Sequence, residues 1–227
     1  MSITPIRESA SMSDSSEKAS ETALTGRPGR AAQRREAFLD AARDVFLEQG
    51  YEAASMAEIV ARAGGSLSTL YAQFGDKEGL FLAVVTRRVK ELSGALQLEI
   101  SAQAPAEQGL RRIGQNFVAH LLTPTGVGLY RVILGLAPKF PDLSRQFYEK
   151  GLSEVRAAVA AYLIDREAAC ELKLRDPHRA ASFFLEMVRG TLAHRALLNP
   201  GYFPDADEIR DVVDDAVSLF LDGLRQR

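Results

Sequence analysis

The sequence predicts an all-α protein in which an N-terminal three-helix unit is joined by a long helix to a larger helical domain. Apolar residues recur every three to four positions over most of the chain, which is the period of an amphipathic helix. Gly, Pro and Asn-Pro breaks divide this pattern into segments of helical length, and no segment shows the alternation of a strand. We expect a disordered tail over 1–26, a compact unit over 27–76 and a helical domain over 77–227.

The composition is that of a globular chain with a polar tail. Of the 227 residues 46% are hydrophobic, enough for a sizeable core, and no apolar run approaches the ~18 residues of a membrane span. The first residues are rich in Ser and charge and lack the apolar stretch of a secretory signal. The single cysteine, Cys170, cannot form an internal disulfide, and we interpret it as a small core residue. We therefore expect a cytoplasmic protein that does not bind a membrane.

Charge is distributed unevenly along the chain, whose net charge is −2. Residues 1–26 carry two basic and four acidic groups, residues 27–90 carry ten basic and eight acidic groups, and the remainder carries sixteen and eighteen. Only the middle segment is therefore positive, by two charges. A few well-placed cations can still follow a phosphate backbone, because local geometry matters more than total charge.

Three helices are predicted in this positive segment. The first covers about 31–49 and ends at Gly50. Ser55 and Glu58 have the spacing of a capping box at the start of the second helix, and Ser66 caps a short third helix. A tight glycine turn between a capped second helix and a short third helix is typical of a helix-turn-helix.

The stretch from Ser55 to Leu80 resembles the DNA-binding signature of the TetR family of transcriptional regulators. Its A-G-x-S-x-x-T-L-Y-x-x-F-x-x-K-E-x-L string specifies many residue types at once, and the resemblance covers about 31–80. Two positions depart from the family pattern. Gly65 stands where Val is frequent, which predicts a looser turn, and Leu67 stands where a polar residue is common. Leu67 can touch a thymine methyl group but cannot hydrogen-bond to a base.

The resemblance implies DNA contacts position by position. The residues expected to contact phosphate are Ser55, Tyr71, Gln73 and Lys77, with Gln73 also able to reach a base. The residues expected against base edges are Leu67, Ser68 and Thr69. Arg27 and Arg30 resemble a basic minor-groove arm, and Arg34 and Arg35 could contact the DNA backbone. The alternatives are that the serines are only helix caps, that Tyr71 belongs to the rim of the core, and that the arm is an incidentally charged linker.

Beyond residue 100 the pattern predicts helices only. They include a short helix over Leu129–Ala137, one long apolar stripe over 143–162, and two final helices over about 177–198 and 205–225. Three motifs stand out here: L-A-P-K-F-P-D-L over 136–143, F-Y-E-K-G over 147–151, and L-R-D-P over 174–177 before an Ala-rich helix. With them, residues 130–199 resemble the AefR-like branch of the same family. That resemblance implies a homodimer formed through the last two helices and a ligand cavity among the helices before them.

The last helix supports the expected dimer. It has a wide apolar face made of Ile209, Val213, Ala216, Phe220 and Leu224. The alternative is a terminal helix that only covers its own core.

The expected effector is a small lipophilic molecule. The apolar and amphipathic residues placed to line its cavity are Phe117, His120, Leu121, Tyr130, Leu134, Phe147, Phe184 and Met187. The chain shows no nucleophile with a base, no phosphate-binding loop, no dinucleotide fingerprint and no metal-ligand spacing, so we expect neither an enzyme nor a cofactor.

The sequence thus predicts a ligand-responsive regulator, a repressor that binds a palindromic operator in double-stranded DNA as a dimer and is released by a small molecule. The alternative is a helical dimeric scaffold or interaction protein without ligand sensing.

Overall fold

The computed structural model describes residues 29–99, 104–151 and 153–224. These residues form ten α-helices and no strand, which confirms the predicted all-α class. The helices are α1 (Arg30–Ala53), α2 (Met56–Ala63), α3 (Leu67–Phe74), α4 (Lys77–Glu99), α5 (Ala106–Leu121), α6 (Pro124–Leu136), α7 (Pro141–Gly151), α8 (Ser153–Ala168), α9 (Pro177–Leu198) and α10 (Ala206–Leu224). The predicted disordered tail lies outside the described residues.

The predicted helix starts in the N-terminal unit are confirmed by their caps. The Ser55 hydroxyl accepts a hydrogen bond from the Glu58 backbone N–H at 3.1 Å, and the Ser66 hydroxyl accepts one from the Thr69 N–H at 3.2 Å. The second bond of the predicted capping box, from the Ser55 backbone N–H to the Glu58 carboxylate, is wrong. That carboxylate instead accepts hydrogen bonds from Gln49 and Arg62.

The predicted helix end at Gly50 corresponds to a kink. Gly50 has a φ of 76°, in the region that side chains with a Cβ rarely adopt. One further helical turn, through Ala53, follows the kink and positions the start of α2.

Two boundaries in the C-terminal half differ from prediction. The helix predicted to start at Leu129 begins at Pro124, because the Thr123 hydroxyl caps it by accepting from the Gly126 N–H at 3.1 Å and proline suits the first helical turn. The single stripe predicted over 143–162 is two helices, α7 and α8. Each of them buries its apolar residues in a different core, which a one-dimensional pattern cannot show.

The helices enclose two hydrophobic cores. The first lies among α1, α2, α3 and the start of α4, and it also contains Leu129, Ile133 and Leu136 of α6 and Leu143 of α7. The second lies among the end of α4 and helices α5, α8, α9 and α10. Helix α4 therefore runs through both cores and connects them.

Cys170 is not a core residue, contrary to the prediction. It follows the end of α8 in a turn with a φ of 60°, and its side chain is exposed. Cys170 points to solvent because it lies in the connection between α8 and α9 and not on the buried face of a helix.

No single helix within the described ranges is long and apolar enough to cross a bilayer. Helices α5 and α6 reach that composition only as a pair, and the pair is bent by 70°.

Candidate DNA-binding surface and effector cavity

Helix α3 is anchored from below and exposed above. Leu70 and Phe74 are buried in the first core, so the opposite side of this two-turn helix faces solvent. Leu67 is 42% exposed and Tyr71 is 48% exposed, and because they are four residues apart these two large side chains lie on the same side of the helix. Ser68 is exposed beside them. The helix therefore presents a small, partly apolar surface that a groove of DNA could cover.

Three hydroxyl groups meet at the N-terminal turn of α3. The Ser66 hydroxyl lies 2.9 Å from that of Ser68 and 2.8 Å from that of Thr69. Ser66 and Ser68 are exposed, whereas Thr69 is half-buried. These contacts fix the side chains before any partner arrives, which lowers the entropic cost of binding.

The turn before α3 explains why Gly65 replaces the larger residue of the family pattern. Gly65 has a φ of +106°, and a Cβ there would lie 3.2 Å from the Phe38 ring. Both its backbone conformation and its close approach to α1 therefore favour glycine. The turn is tightly packed rather than loose.

Lys77 has an unexpected set of partners. Its amine donates hydrogen bonds to the backbone oxygens of Glu52 and Ala54, both at 3.1 Å, and lies 4.8 Å from the centroid of the Tyr51 ring. The charge thus sits on the last turn of α1 and ties it to the first turn of α4, a favourable place for a cation. The phosphate contact expected for Lys77 remains a prediction.

The remaining predicted contacts lie around α3 with different degrees of access. Ser55 is exposed, and its hydroxyl hydrogen stays free to donate while the oxygen caps α2. Gln73 is half-buried, and its Oε1 has no hydrogen-bond partner within the described ranges. Arg30 is exposed at the start of α1, and Arg27 lies outside the described residues.

Two exposed arginines of α1 lie next to the helix-turn-helix. The Arg35 guanidinium is 4.5 Å from the centroid of the Phe74 ring, at the end of α3. Arg34 donates a long, 3.5 Å bond to the carbonyl oxygen of Ala63 at the end of α2. By contrast, Arg62 is paired with Glu48 and Glu58, and these hydrogen bonds raise its pKa above the ordinary value.

A cavity of about 300 Å³ lies in the C-terminal domain, walled by α4, α5, α6, α7, α8 and α9. Five of the eight predicted effector residues line it: Phe117, His120, Leu121, Tyr130 and Phe147. Its volume is at the lower end of the range for small-molecule sites.

The other three predicted residues do not reach the cavity. Phe184 is fully buried in the second core, where its ring lies 5.3 Å from that of Phe220. Leu134 and Met187 are 49% and 38% exposed and face away. Helical periodicity placed all three on apolar helices but could not tell which face of each helix turns to the cavity.

Several cavity residues were not predicted from the sequence. They include Val85, Arg88 and Leu92 of α4, Arg156 of α8, and Ser182, Glu186 and Arg189 of α9. Charged residues on a predicted helix are ordinarily assigned to its solvent face, so no sequence pattern pointed to the charged members of this set.

Two of the cavity arginines are held inside the protein. Arg88 donates to the Thr123 hydroxyl at 3.1 Å and to the His120 carbonyl, and it pairs with Glu91 at 3.2 Å. Arg189 pairs with Glu186 at 2.7 Å. Burial acts to lower the pKa of Arg189, but its bonds to Glu186 and Tyr130 raise that pKa above the ordinary value.

His120 has a defined tautomer when neutral. Its Nδ1 lies 2.8 Å from the Asn116 carbonyl oxygen, which can only accept, so Nδ1 carries the hydrogen. The other ring nitrogen, Nε2, is then left as an acceptor.

The apolar face predicted for dimerisation on the last helix is instead packed inside the chain. Ile209, Val213, Ala216 and Phe220 are all buried in the second core, as the alternative interpretation of that helix required. The exposed apolar residue of α10 is Leu219, which is 69% exposed.

Helix α9 carries an exposed apolar stripe. Phe183, Met187 and Leu198 are 60%, 38% and 78% exposed. At 3.6 residues per turn they lie within about 60° of one another around the helix. This stripe is larger than a single scattered surface residue would give, and its Phe183 also lines the cavity.

A helix-turn-helix with an exposed third helix, carried on a helical body, is the arrangement of a DNA-binding transcriptional regulator. The family comparisons agree. Residues 38–84 match the family described as bacterial regulatory proteins, tetR family, and residues 108–223 match the AefR-like transcriptional repressor C-terminal domain. The chain belongs to the TetR family, in its AefR-like branch.

Relatives and solved structures are consistent with this assignment. The transcriptional repressor ComR of Escherichia coli is 28% identical over 61% of this chain and 67% of its own length. The transcriptional activator FasR of Mycolicibacterium smegmatis is 39% identical over 37% of this chain and 39% of its own length. A TetR-family regulator structure from Mesorhizobium loti has a TM-score of 0.77 and 28% identity, covering 87% of this chain and 99% of that one. The flavonoid-responsive regulator FrrA has a TM-score of 0.70 and 29% identity, covering 86% and 98%.

Proposed function

We propose that this regulator is a ligand-responsive repressor in the cytoplasm that binds a palindromic operator as a homodimer and leaves it when a small lipophilic molecule enters the cavity. The supporting observation is that three residues belong to both functional parts. Val85, Leu129 and Ile133 line the cavity and are also members of the core under the helix-turn-helix. A ligand that displaces them must repack the DNA-binding unit.

The route from cavity to DNA runs through α4 and α6. Helix α4 starts beside the third helix of the helix-turn-helix, and its later turns wall the cavity. Helix α6 walls the cavity from the other side and packs closely on α1, where a Cβ on Gly128 would come within 2.5 Å of the Leu47 side chain. An ion pair of 2.6 Å between Lys139 and Glu52 adds to the contact with the end of α1.

The dimer turns this repacking into a change of affinity. Two recognition helices must enter major grooves about one helical turn of DNA apart, so a small change in their separation prevents simultaneous docking. A ligand that favours the non-binding state by about 3 kcal/mol lowers DNA affinity roughly a hundredfold. The proposed interface is the exposed apolar face of α9 and α10.

At the DNA, Leu67, Ser68 and Thr69 are proposed to lie against base edges, and Tyr71, Gln73, Ser55 and Lys77 to contact phosphate. Arg27 and Arg30 are proposed to enter the minor groove, and Arg34 and Arg35 are placed to supply further charge beside α3. Tyr71→Phe tests the phosphate contact. It is expected to weaken binding to all sequences about equally, whereas Leu67→Ala is expected to alter the preference among operators.

The similar structure of FrrA, a flavonoid-responsive regulator, supports the proposal that this chain responds to a small molecule. Its test is a screen of lipophilic compounds for thermal stabilisation of the protein, followed by titration of each hit against the complex with DNA from upstream of the protein's own gene. Bound compounds are expected to release the DNA. If every tight binder leaves DNA affinity unchanged, the C-terminal half is a dimerisation scaffold.

A matched pair of variants sharpens the test. Leu121→Trp fills the cavity at a residue outside the DNA-binding core, so it is expected to abolish the ligand response and keep operator affinity. Leu134→Trp makes the same change on an exposed face of α6 and is expected to keep both. A normal ligand response in Leu121→Trp would show that the cavity is not the effector site.

A further inference from the structure

The three arginines of the cavity differ in how their charges are compensated. Arg88 is paired with Glu91 at 3.2 Å, and Arg189 with Glu186 at 2.7 Å. Arg156, on α8, has neither an ion pair nor a hydrogen bond to any residue that the structure describes. Its guanidinium carbon lies 6.0 Å from the centroid of the Tyr148 ring, at the distance of a cation–π contact.

The Arg156 guanidinium keeps only part of its hydration, because the residue is half-buried. Much of the cavity lining is apolar, with Phe117, Leu121 and Ile133 among its residues, and such side chains cannot replace lost hydration. A negative group arriving with a ligand would supply the missing partner, and a guanidinium binds a carboxylate through two parallel hydrogen bonds.

Glu186, the carboxylate in the cavity lining, is not free to bind a cationic ligand in the same way. Glu186 already accepts hydrogen bonds from the Arg189 guanidinium on both of its oxygens, at 2.7 Å. Among the described lining residues, the charge left without an ionic partner is therefore the positive charge of Arg156.

We propose that the effector is an amphipathic organic anion. Its apolar body occupies the cavity, and its single acidic group, a carboxylate or a phenolate, binds the Arg156 guanidinium near the Tyr148 ring. This inference rests on the proposed function, because it names the chemical class of the effector for the same cavity.

Two series of matched amphiphiles test the proposal. The first is decanoate, decanol and decylamine; the second is para-butylbenzoate, para-butylbenzyl alcohol and para-butylbenzylamine. Binding to the wild-type protein is measured by isothermal titration calorimetry, and operator release by a gel-shift assay. In at least one series we expect the acid to bind about tenfold tighter than the alcohol, and the amine to bind more weakly still.

Three variants assign the preference to one residue. Arg156→Gln is expected to weaken acid binding by about tenfold to a hundredfold and to leave alcohol binding unchanged, which also shows that the variant is folded. Arg156→Lys keeps the charge and is expected to retain most of the preference. Arg145→Gln removes the same charge from an exposed position on α7, outside the cavity, and is expected to change nothing.

The outcomes separate this inference from the function on which it rests. Equal binding of acids and alcohols, or an acid preference that survives Arg156→Gln, would overturn the anionic class. Release of the operator by an alcohol or an amine would still support the effector function. If no compound of either series binds, the anionic class is refuted for amphiphiles of this size, and the screen of Proposed function then decides whether the cavity senses anything.

Discussion

Replacing Lys77 with methionine removes the tie between the last turn of α1 and the first turn of α4. The side chain keeps a similar length and apolar stem, while the hydrogen bonds to the Glu52 and Ala54 carbonyls and the cation–π contact of the amine with the Tyr51 ring are lost. Those carbonyls close a helix end whose dipole favours a cation. The variant therefore isolates the contribution of one charge to the docking of two helices.

The size of the effect follows from the contacts. A hydrogen bond from a charged donor contributes about 1.5–3 kcal/mol when it is buried. The amine of Lys77 is only half-buried, so water replaces part of the loss, and we expect a total of about 2 kcal/mol rather than the sum of two bonds. For a chain of this size, that corresponds to a fall in Tm of about 4–8 °C.

The assay is thermal unfolding followed by circular dichroism at fixed protein concentration, since the stability of a dimer depends on concentration. Lys90→Met makes the same substitution at an exposed position of α4 and is expected to leave Tm within about 1 °C. Equal melting temperatures for Lys77→Met and the wild type would refute the structural tie. The same variant tests the phosphate contact, because losing that contact lowers the salt slope of DNA binding by about 1.

Three further predictions concern the dimer, the packing and the response to acid. Leu219→Glu is expected to give a folded monomer, because that residue is 69% exposed on the single chain, whereas Phe220→Glu places a charge in the second core and is expected to unfold it. Gly109→Ala is expected to destabilise by about 1–3 kcal/mol, since its Cβ would lie 1.9 Å from a buried tyrosine hydroxyl, while Gly135→Ala has open space and is expected to stabilise by about 0.5 kcal/mol. The hydrogen bond from the Arg179 N–H lowers the pKa of Asp176 below its ordinary 3.8. Its stabilisation is therefore present above that pH and lost as pH falls further, so Asp176→Asn, which still caps, is expected to lose less stability in acid.

Each of these has a simple contradiction. Sedimentation that finds Leu219→Glu as dimeric as the wild type would remove that face from the interface. Similar urea midpoints for the two alanine variants would mean that the tyrosine moves aside without cost. Identical acid-unfolding curves for Asp176→Asn and the wild type would show that this carboxylate does not contribute to the pH dependence.

The features that sequence predicted correctly are those decided within one turn of a helix. The caps at Ser55 and Ser66 each join a side chain to the backbone three residues later, so the residue types and their spacing suffice to predict them. The order of the helices and the position of the helix-turn-helix followed from the same local signals.

The features that were missed depend on segments far apart in the chain. The apolar face of α10 was recognised, but not that α5 and α9 of the same chain cover it. The hydrogen bonds of Lys77 to the end of α1 were not predicted, because only the fold brings that end to its amine, and its phosphate contact stays a prediction. No sequence pattern pointed to Arg156, because its proposed role depends on the two other cavity arginines, which already have ion-pair partners.

The way α6 and α7 complete the core beneath the helix-turn-helix limits how this regulator can be engineered. Leu136 and Leu143 belong to that core although they lie far beyond α3 in the chain. A DNA-reading unit cut out after α4 would leave an apolar surface uncovered, so a chimera that keeps this operator specificity must also keep α6 and α7. The same contact constrains sequence drift: a larger residue at Gly128 requires a change at Leu47. Because of this shared core, the operator specificity and the effector specificity of this regulator cannot be exchanged independently.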